Sequence, residues 1–242
     1  MKIESKKMII DHNHHAYREK WNRIGKNKYN GAFYYSKEIV KNIIPRVKTD
    51  RNWITVNIPP FGCDHAIVFI HNNMKPENYA WLKHFDDLIM VCGIPETRGK
   101  VEHLGKAIYL PLSIDLEYIQ QFKVPEEERS GAAFVGRKAK RKIEGVSIPD
   151  DIDIIEGLKR QDLLREMARY EIVYAVGRTA IEAKALGCEV KAYDPRYPDP
   201  DIWIPLDNRA AAALLQRELD YIDGEHFCGY GKSYEPEVED DE

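Results

Sequence analysis

Cysteine is scarce and scattered in this 242-residue sequence. The four cysteines, Cys63, Cys92, Cys188 and Cys228, stand far apart with no CxxC pair. That argues against a disulfide framework or a structural zinc site and reads as reduced, mostly buried thiols. Long apolar runs are missing too: the hydrophobic segments span only about 5–8 residues between charges, against the roughly 20 of a membrane-spanning helix. The start, MKIESKKMIID, is polar and unlike a secretory leader, so the expectation is a cytosolic protein with no membrane span.

An excess of charge of one sign is absent from the body of the chain. The net charge is −4, but residues 225–242 hold seven acids and one base, a net of −6, which leaves +2 on residues 1–224. A nearly neutral body lacks the basic stripe of a general nucleic-acid-binding surface, while a local anion site stays open. The tail 225–242 reads as a disordered, solvating acidic segment. Over the whole chain a 43% hydrophobic content is too high for intrinsic disorder and enough for one large or two small domains.

What the sequence does contain is alternation. Trp53–Ile58, Ala66–Ile70, Leu88–Cys92 and Ala107–Leu110 read as strands, with helices expected over Pro76–Phe85 and Gly99–Leu104. Ala66–Ile70 is apolar without interruption, as in a strand covered on both faces. The charged stretch Val124–Gly131 reads as a linker, after which the alternation restarts. Strands are expected over Ala132–Val135, Asp153–Ile155, Ile172–Val176 and Glu189–Tyr193, and helices over Lys159–Tyr170, Thr179–Leu186 and Ala210–Ile222. Met8–Ile10 is a candidate first strand, with a helix from about Ser36. The pattern predicts an α/β protein of two Rossmann-like lobes with parallel sheets, residues 1–123 and 131–224, followed by the tail.

Two stretches carry chemistry. In Tyr174-Ala175-Val176-Gly177-Arg178-Thr179-Ala180-Ile181-Glu182 a strand turns through glycine into a helix. The first-turn N–H groups of such a helix have no intrahelical acceptor and, with the helix dipole, suit a phosphate. Arg178 adds a bidentate donor and Thr179 a hydroxyl, and Glu182 one turn on can accept from ribose hydroxyls. The plain alternative is a βαβ unit with a capping threonine. In Phe134-Val135-Gly136-Arg137 a strand ends on glycine and arginine, with Lys138, Lys140, Arg141 and Lys142 close behind. Positive charge there suits a diphosphate, because open α/β sheets bind ligands at the carboxyl ends of their strands. The plain alternative is a solvated basic loop.

In this order FVGR, the basic segment, Ile154–Leu158, the helix from Arg160 and GRTAIEAKALGCEV resemble the donor domain of GT-B-fold glycosyltransferases, over about 132–194. In that family a VGR…K segment contacts the nucleotide diphosphate, and a GxxxxEAxAxGxxV helix sets a glutamate on the ribose. The resemblance implies that Gly136, Arg137 and Lys142 meet the diphosphate. Gly177, Arg178 and Thr179 would form the phosphate-facing helix start, and Glu182 would hold the ribose. It also implies a nucleotide-sugar donor, an unidentified acceptor and no cofactor or metal. The short build is similar to that of compact glycosyltransferases encoded by bacteriophages. Many retaining members carry a second glutamate eight positions earlier, where this chain has Tyr174. A non-catalytic nucleotide or sugar-nucleotide binder, and an enzyme such as an epimerase acting on a sugar phosphate, therefore stay open.

For an acceptor-side base the candidate is His71, directly after Ala66–Ile70, where a neutral imidazole can take a hydroxyl proton. A hydrogen-bonded structural histidine is the alternative. His12 and His14 share one face of an extended segment, but two ligands without a third do not make a metal site. Trp81, Tyr197 and Trp203 are candidates to stack on a sugar or base, or else to pack in the core.

Overall fold

The computed structural model describes residues 9–10, 38–54, 65–70, 82–83, 85–136, 145–146 and 148–227. Two parallel sheets organise them. The first runs β1 (Ile9–Ile10), β2 (Asn52–Ile54), β3 (His65–Ile70), β4 (Asp87–Cys92) and β5 (Lys106–Tyr109), side by side in sequence order. Ala66–Ile70 of β3 and Leu88–Cys92 of β4 are buried throughout. Their alternation sorts them by face. Ile67, Phe69, Ile89 and Val91 join Trp53 in the larger core, whereas Ala66, Val68, Ile70, Leu88, Met90 and Cys92 meet Leu82 and Val101 on the other side. Burial on both faces is why these strands read as unbroken apolar runs. Helix α1 (Pro95–Val101) starts four residues before the expected Gly99, because Pro95 fits a first helical turn rather than ending the preceding structure.

The second sheet has the order β8 (Asp153–Ile155), β7 (Ala132–Val135), β9 (Ile172–Tyr174), β10 (Glu189–Lys191), again parallel. Helix α3 (Arg160–Met167) buries Leu163, Leu164 and Met167, and α4 (Arg178–Leu186) buries Ala180, Ile181, Ala183 and Leu186. Gly187 ends α4 in the left-handed region, φ 91°, with Cys188 N–H donating to Ala183 O at 3.0 Å. In chain order α2 (Leu116–Gln120), not expected from the sequence, comes between the two sheets. Asp115 caps it by accepting from Tyr118 N–H at 2.9 Å.

A two-stranded parallel ladder joins the ends of both halves: β6 (Ser113–Ile114) pairs with β11 (Leu206–Asp207). From there α5 (Asn208–Phe227) runs along the first sheet's side of the molecule. Gln216 accepts from Lys48 N–H at 2.6 Å and donates to Lys48 O at 3.2 Å. Arg51 is held between Asp87 at 2.9 Å and Asp223 at 2.8 Å. One contiguous apolar cluster extends from Ile39, Ile43 and Phe69 through Leu215 and Leu219 of α5 to Val135, Val173 and Ile181. The chain is α/β with parallel sheets packed by helices, and among the described residues no helix is long and apolar enough to cross a membrane. Tyr197 and Trp203 pack edge to face at 5.4 Å and are buried.

Candidate functional site

Strand connections reverse at one place in the second sheet. From β7 the chain moves to β8 on one side; it then returns past β7 to β9 and continues to β10 on the other side. A crevice forms where neighbouring parallel strands send their connections in opposite directions, and open α/β sheets take ligands there. Here the neighbours are β7 and β9, paired with Phe134 opposite Tyr174. Gly136 and Gly177 follow those partners by two and three residues, so the two glycine turns of the sequence lie at the same sheet edge.

Each glycine is required for its own reason. Gly177 has φ 64° and ψ −138°, a conformation almost restricted to glycine, and a Cβ there would meet nothing within 4 Å. Its constraint is the backbone bend into α4, and space lies open above it. At Gly136 a Cβ would stand 2.9 Å from Phe134 Cζ, so the ring of Phe134 fills that place. Phe134 in turn packs edge to face on Tyr193 at 5.0 Å. Burial first, then the neighbouring Asp194, pushes the Tyr193 phenol up to about 12, which keeps it a neutral hydroxyl. Thr179 is half-buried in the first turn of α4, where helix geometry leaves N–H groups without intrahelical acceptors.

Arg178 and Glu182 are not presented to solvent. They belong to a closed ring of charge with Glu38 and Arg160. Glu182 Oε1 accepts from Arg178 Nε at 2.8 Å and from Arg160 Nη2 at 3.2 Å. Glu38 Oε1 accepts from Arg160 Nη1 at 3.0 Å and from Arg178 Nη2. Glu38 Oε2 accepts from Asn208 Nδ2 at 3.1 Å. The side chains are 0% exposed for Glu182, 3% for Arg178, 8% for Glu38 and 11% for Arg160. Charges so deeply buried are tolerated only when paired and hydrogen-bonded, and two guanidiniums with two carboxylates cancel. The Arg160 guanidinium also lies over the Tyr118 ring at 5.2 Å, which brings α2 to the cluster.

The ring therefore gathers the residue 38 segment, α2, α3, α4 and the start of α5 at the carboxyl edge of the second sheet. Next to Asn208 a cavity of about 240 Å³ is lined by Arg46, Asp115, Glu117, Asp207 and Arg209, all polar.

Of the residues singled out in the sequence, Gly136, Gly177, Arg178, Thr179 and Glu182 come together around β7 and β9. His71, Arg137 and Lys142 lie outside the described residues, as do His12, His14 and Trp81. Glu38, Arg160 and Asn208 were not anticipated. Glu38 lies 122 and 140 residues from its arginine partners and 170 from Asn208, distances at which no spacing rule operates. Among the described residues no group of three His, Cys, Asp or Glu side chains is placed to hold a metal ion. Neither a protein-family model nor a curated protein matches the chain.

Proposed function

We propose that the protein is a glycosyltransferase of GT-B-like, two-lobed build that seats a nucleotide-activated sugar at the β7–β9 crevice. The observation that carries this reading is the pairing of β7 with β9 at the reversal of strand connections, with Gly136 and Gly177 at the shared edge. The diphosphate lies against the first turn of α4, where Gly177 leaves the backbone open and Thr179 offers a hydroxyl. Arg137 and Lys142, from the segment after Gly136, supply cations. In the reaction the bond from the anomeric carbon to the diphosphate oxygen breaks and a bond to an acceptor hydroxyl forms. The hydroxyl proton passes to a base, for which His71, the next residue in sequence after β3, is the candidate. Helix N–H donors and cations stabilise the departing diphosphate. The acceptor enters from the first sheet's side, near the polar cavity beside Asn208.

A panel of nucleoside diphosphates and their sugars, read by thermal shift, tests the binding half of this reading. A ligand at 100 times its dissociation constant stabilises the fold by about 2.7 kcal/mol. No shift with any member of the panel would overturn it.

One observation favours a second reading, a nucleotide or sugar-nucleotide binder without turnover. Glu182 already accepts from two guanidiniums and is fully buried, while Tyr174 stands at the earlier acidic position. A binder retains affinity yet neither transfers nor hydrolyses a labelled donor, so product analysis on any ligand found by thermal shift separates the two.

A further inference from the structure

Arg160 and Arg178 occupy equivalent places. Each is the first residue of a helix, α3 or α4, and each helix begins at the carboxyl edge of the second sheet. The start of a helix is its positive end, where a cation is disfavoured and an anion stabilised. Two guanidiniums brought together there, both nearly buried, demand negative charge. Glu182, from within α4, neutralises one of them. The other charge is met by Glu38, which arrives from a segment far away in sequence and places one oxygen, Oε1, between both guanidiniums. Without Glu38 the remaining three side chains carry a net positive charge in a largely buried site.

We propose that Arg160 and Arg178 form a two-guanidinium anion seat whose resident occupant is the Glu38 carboxylate, and that a diphosphate-bearing ligand takes the seat by displacing Glu38. The proposal rests on reading the β7–β9 crevice as the diphosphate site, and adds Arg160 as a ligand-binding residue and Glu38 as its internal competitor. A diphosphate presents several oxygens to the two planar forks, where Glu38 presents one, so the exchange replaces shared hydrogen bonds by separate ones. Displacement also releases the Glu38–Asn208 hydrogen bond at the start of α5. Occupancy of the crevice is thereby transmitted to the helix that lies along the first sheet.

Calorimetric titration of the full chain with inorganic pyrophosphate, and separately with nucleoside diphosphates, tests this. Glu38→Gln removes the competing charge and should tighten pyrophosphate binding by about tenfold or more, the scale of a close charge pair. Arg160→Gln should weaken it by a similar factor, and the double variant should lose the gain of Glu38→Gln. Circular dichroism and melting confirm that each variant is folded. Should Glu38→Gln not fold, Glu38→Asp keeps the charge but shortens the reach, and should still tighten pyrophosphate binding by about threefold, a fraction of the same charge-pair effect. Pyrophosphate affinity in a folded Glu38→Gln or Glu38→Asp protein equal to or weaker than wild type overturns the seat, as does no pyrophosphate binding by any form. If nucleoside diphosphates bind the wild type and both Glu38 variants alike, the crevice reading survives and the seat falls. If nucleoside diphosphates are ignored while pyrophosphate responds to Glu38, the seat stands and the nucleotide reading falls.

Discussion

Arg178 donates from Nε to Glu182 Oε1 at 2.8 Å across one turn of α4, and neither side chain is more than 3% exposed. The i, i+4 spacing that would support a surface helix pair serves here to hold a buried charge ring closed. Breaking a buried pair by removing one partner costs about 3–5 kcal/mol, because the other charge stays behind uncompensated. Glu182→Leu should lower stability by that order in urea denaturation. Arg178→Met with Glu182→Leu removes one charge of each sign and leaves Glu38 with Arg160, so it should recover much of the loss. A double variant as unstable as the single would show that the ring's worth lies in shape rather than charge balance.

Gly136 and Gly177 should respond differently to alanine. At Gly177 the obstacle is conformational, and Gly177→Ala should cost about 1–3 kcal/mol with no steric contribution. At Gly136 the obstacle is the Phe134 ring, so shrinking the ring should cure it. Phe134→Leu, which by itself gives up buried ring area, should cost less stability in the Gly136→Ala background than in the wild type, and as much in the Gly177→Ala background as in the wild type. Chemical denaturation of the five variants checks both expectations.

The sheets were legible in the sequence because the signal for a strand is local. β7 and β8 fall on the expected residues, β3, β4 and β5 begin one polar residue earlier than their apolar runs, and β9 and β10 end two residues sooner. Residues 55–58 of the expected second strand lie outside the described residues, and the two-residue strands β6 and β11 were not expected. The loop-to-helix turn at Gly177 was legible for the same reason. Helix α2 was not, being five residues long with its identity resting on the Asp115 cap more than on any periodicity. The charge ring was illegible as a unit: Arg178 and Glu182 looked like groups facing a ligand because nothing local announces Glu38 or Arg160 as partners. Likewise the closing helix reads as part of the second block, yet Gln216 and Asp223 fasten it to Lys48 and Arg51 near β2.

That fastening makes the end of the described chain part of the first sheet's support. Two carboxylates, Asp223 and Asp87, raise the Arg51 guanidinium above its usual value although burial alone pulls it down. Arg51 is 9% exposed, Asp87 29% and Asp223 46%. Asp223→Asn should therefore cost less than about 1 kcal/mol, in the range of exposed pairs. Arg51→Met, which takes the guanidinium from both carboxylates and leaves Asp87 with only His65 at 3.4 Å, should cost more than Asp223→Asn and Asp87→Asn lose individually. Equal losses in urea denaturation for Arg51→Met and Asp223→Asn would mean that Asp87 is not held by the arginine.

Stability should fall on the alkaline side. Burial pushes the thiol of Cys92 from its ordinary 9.0 up to about 12 and that of Cys188 up to about 11. Each thiol holds its proton more tightly in the folded than in the unfolded chain. Linkage then makes the contribution to stability complete below pH 9 and progressively lost as the pH climbs through 11 to 12. Ellman's reagent provides a separate check, since the nucleophile is the thiolate. Near pH 8 both cysteines should react only as fast as the protein opens, and denaturant should accelerate them. Rapid labelling of either one in the native state at pH 8 would contradict its burial in the packed faces of β4 and of the α4–β10 turn.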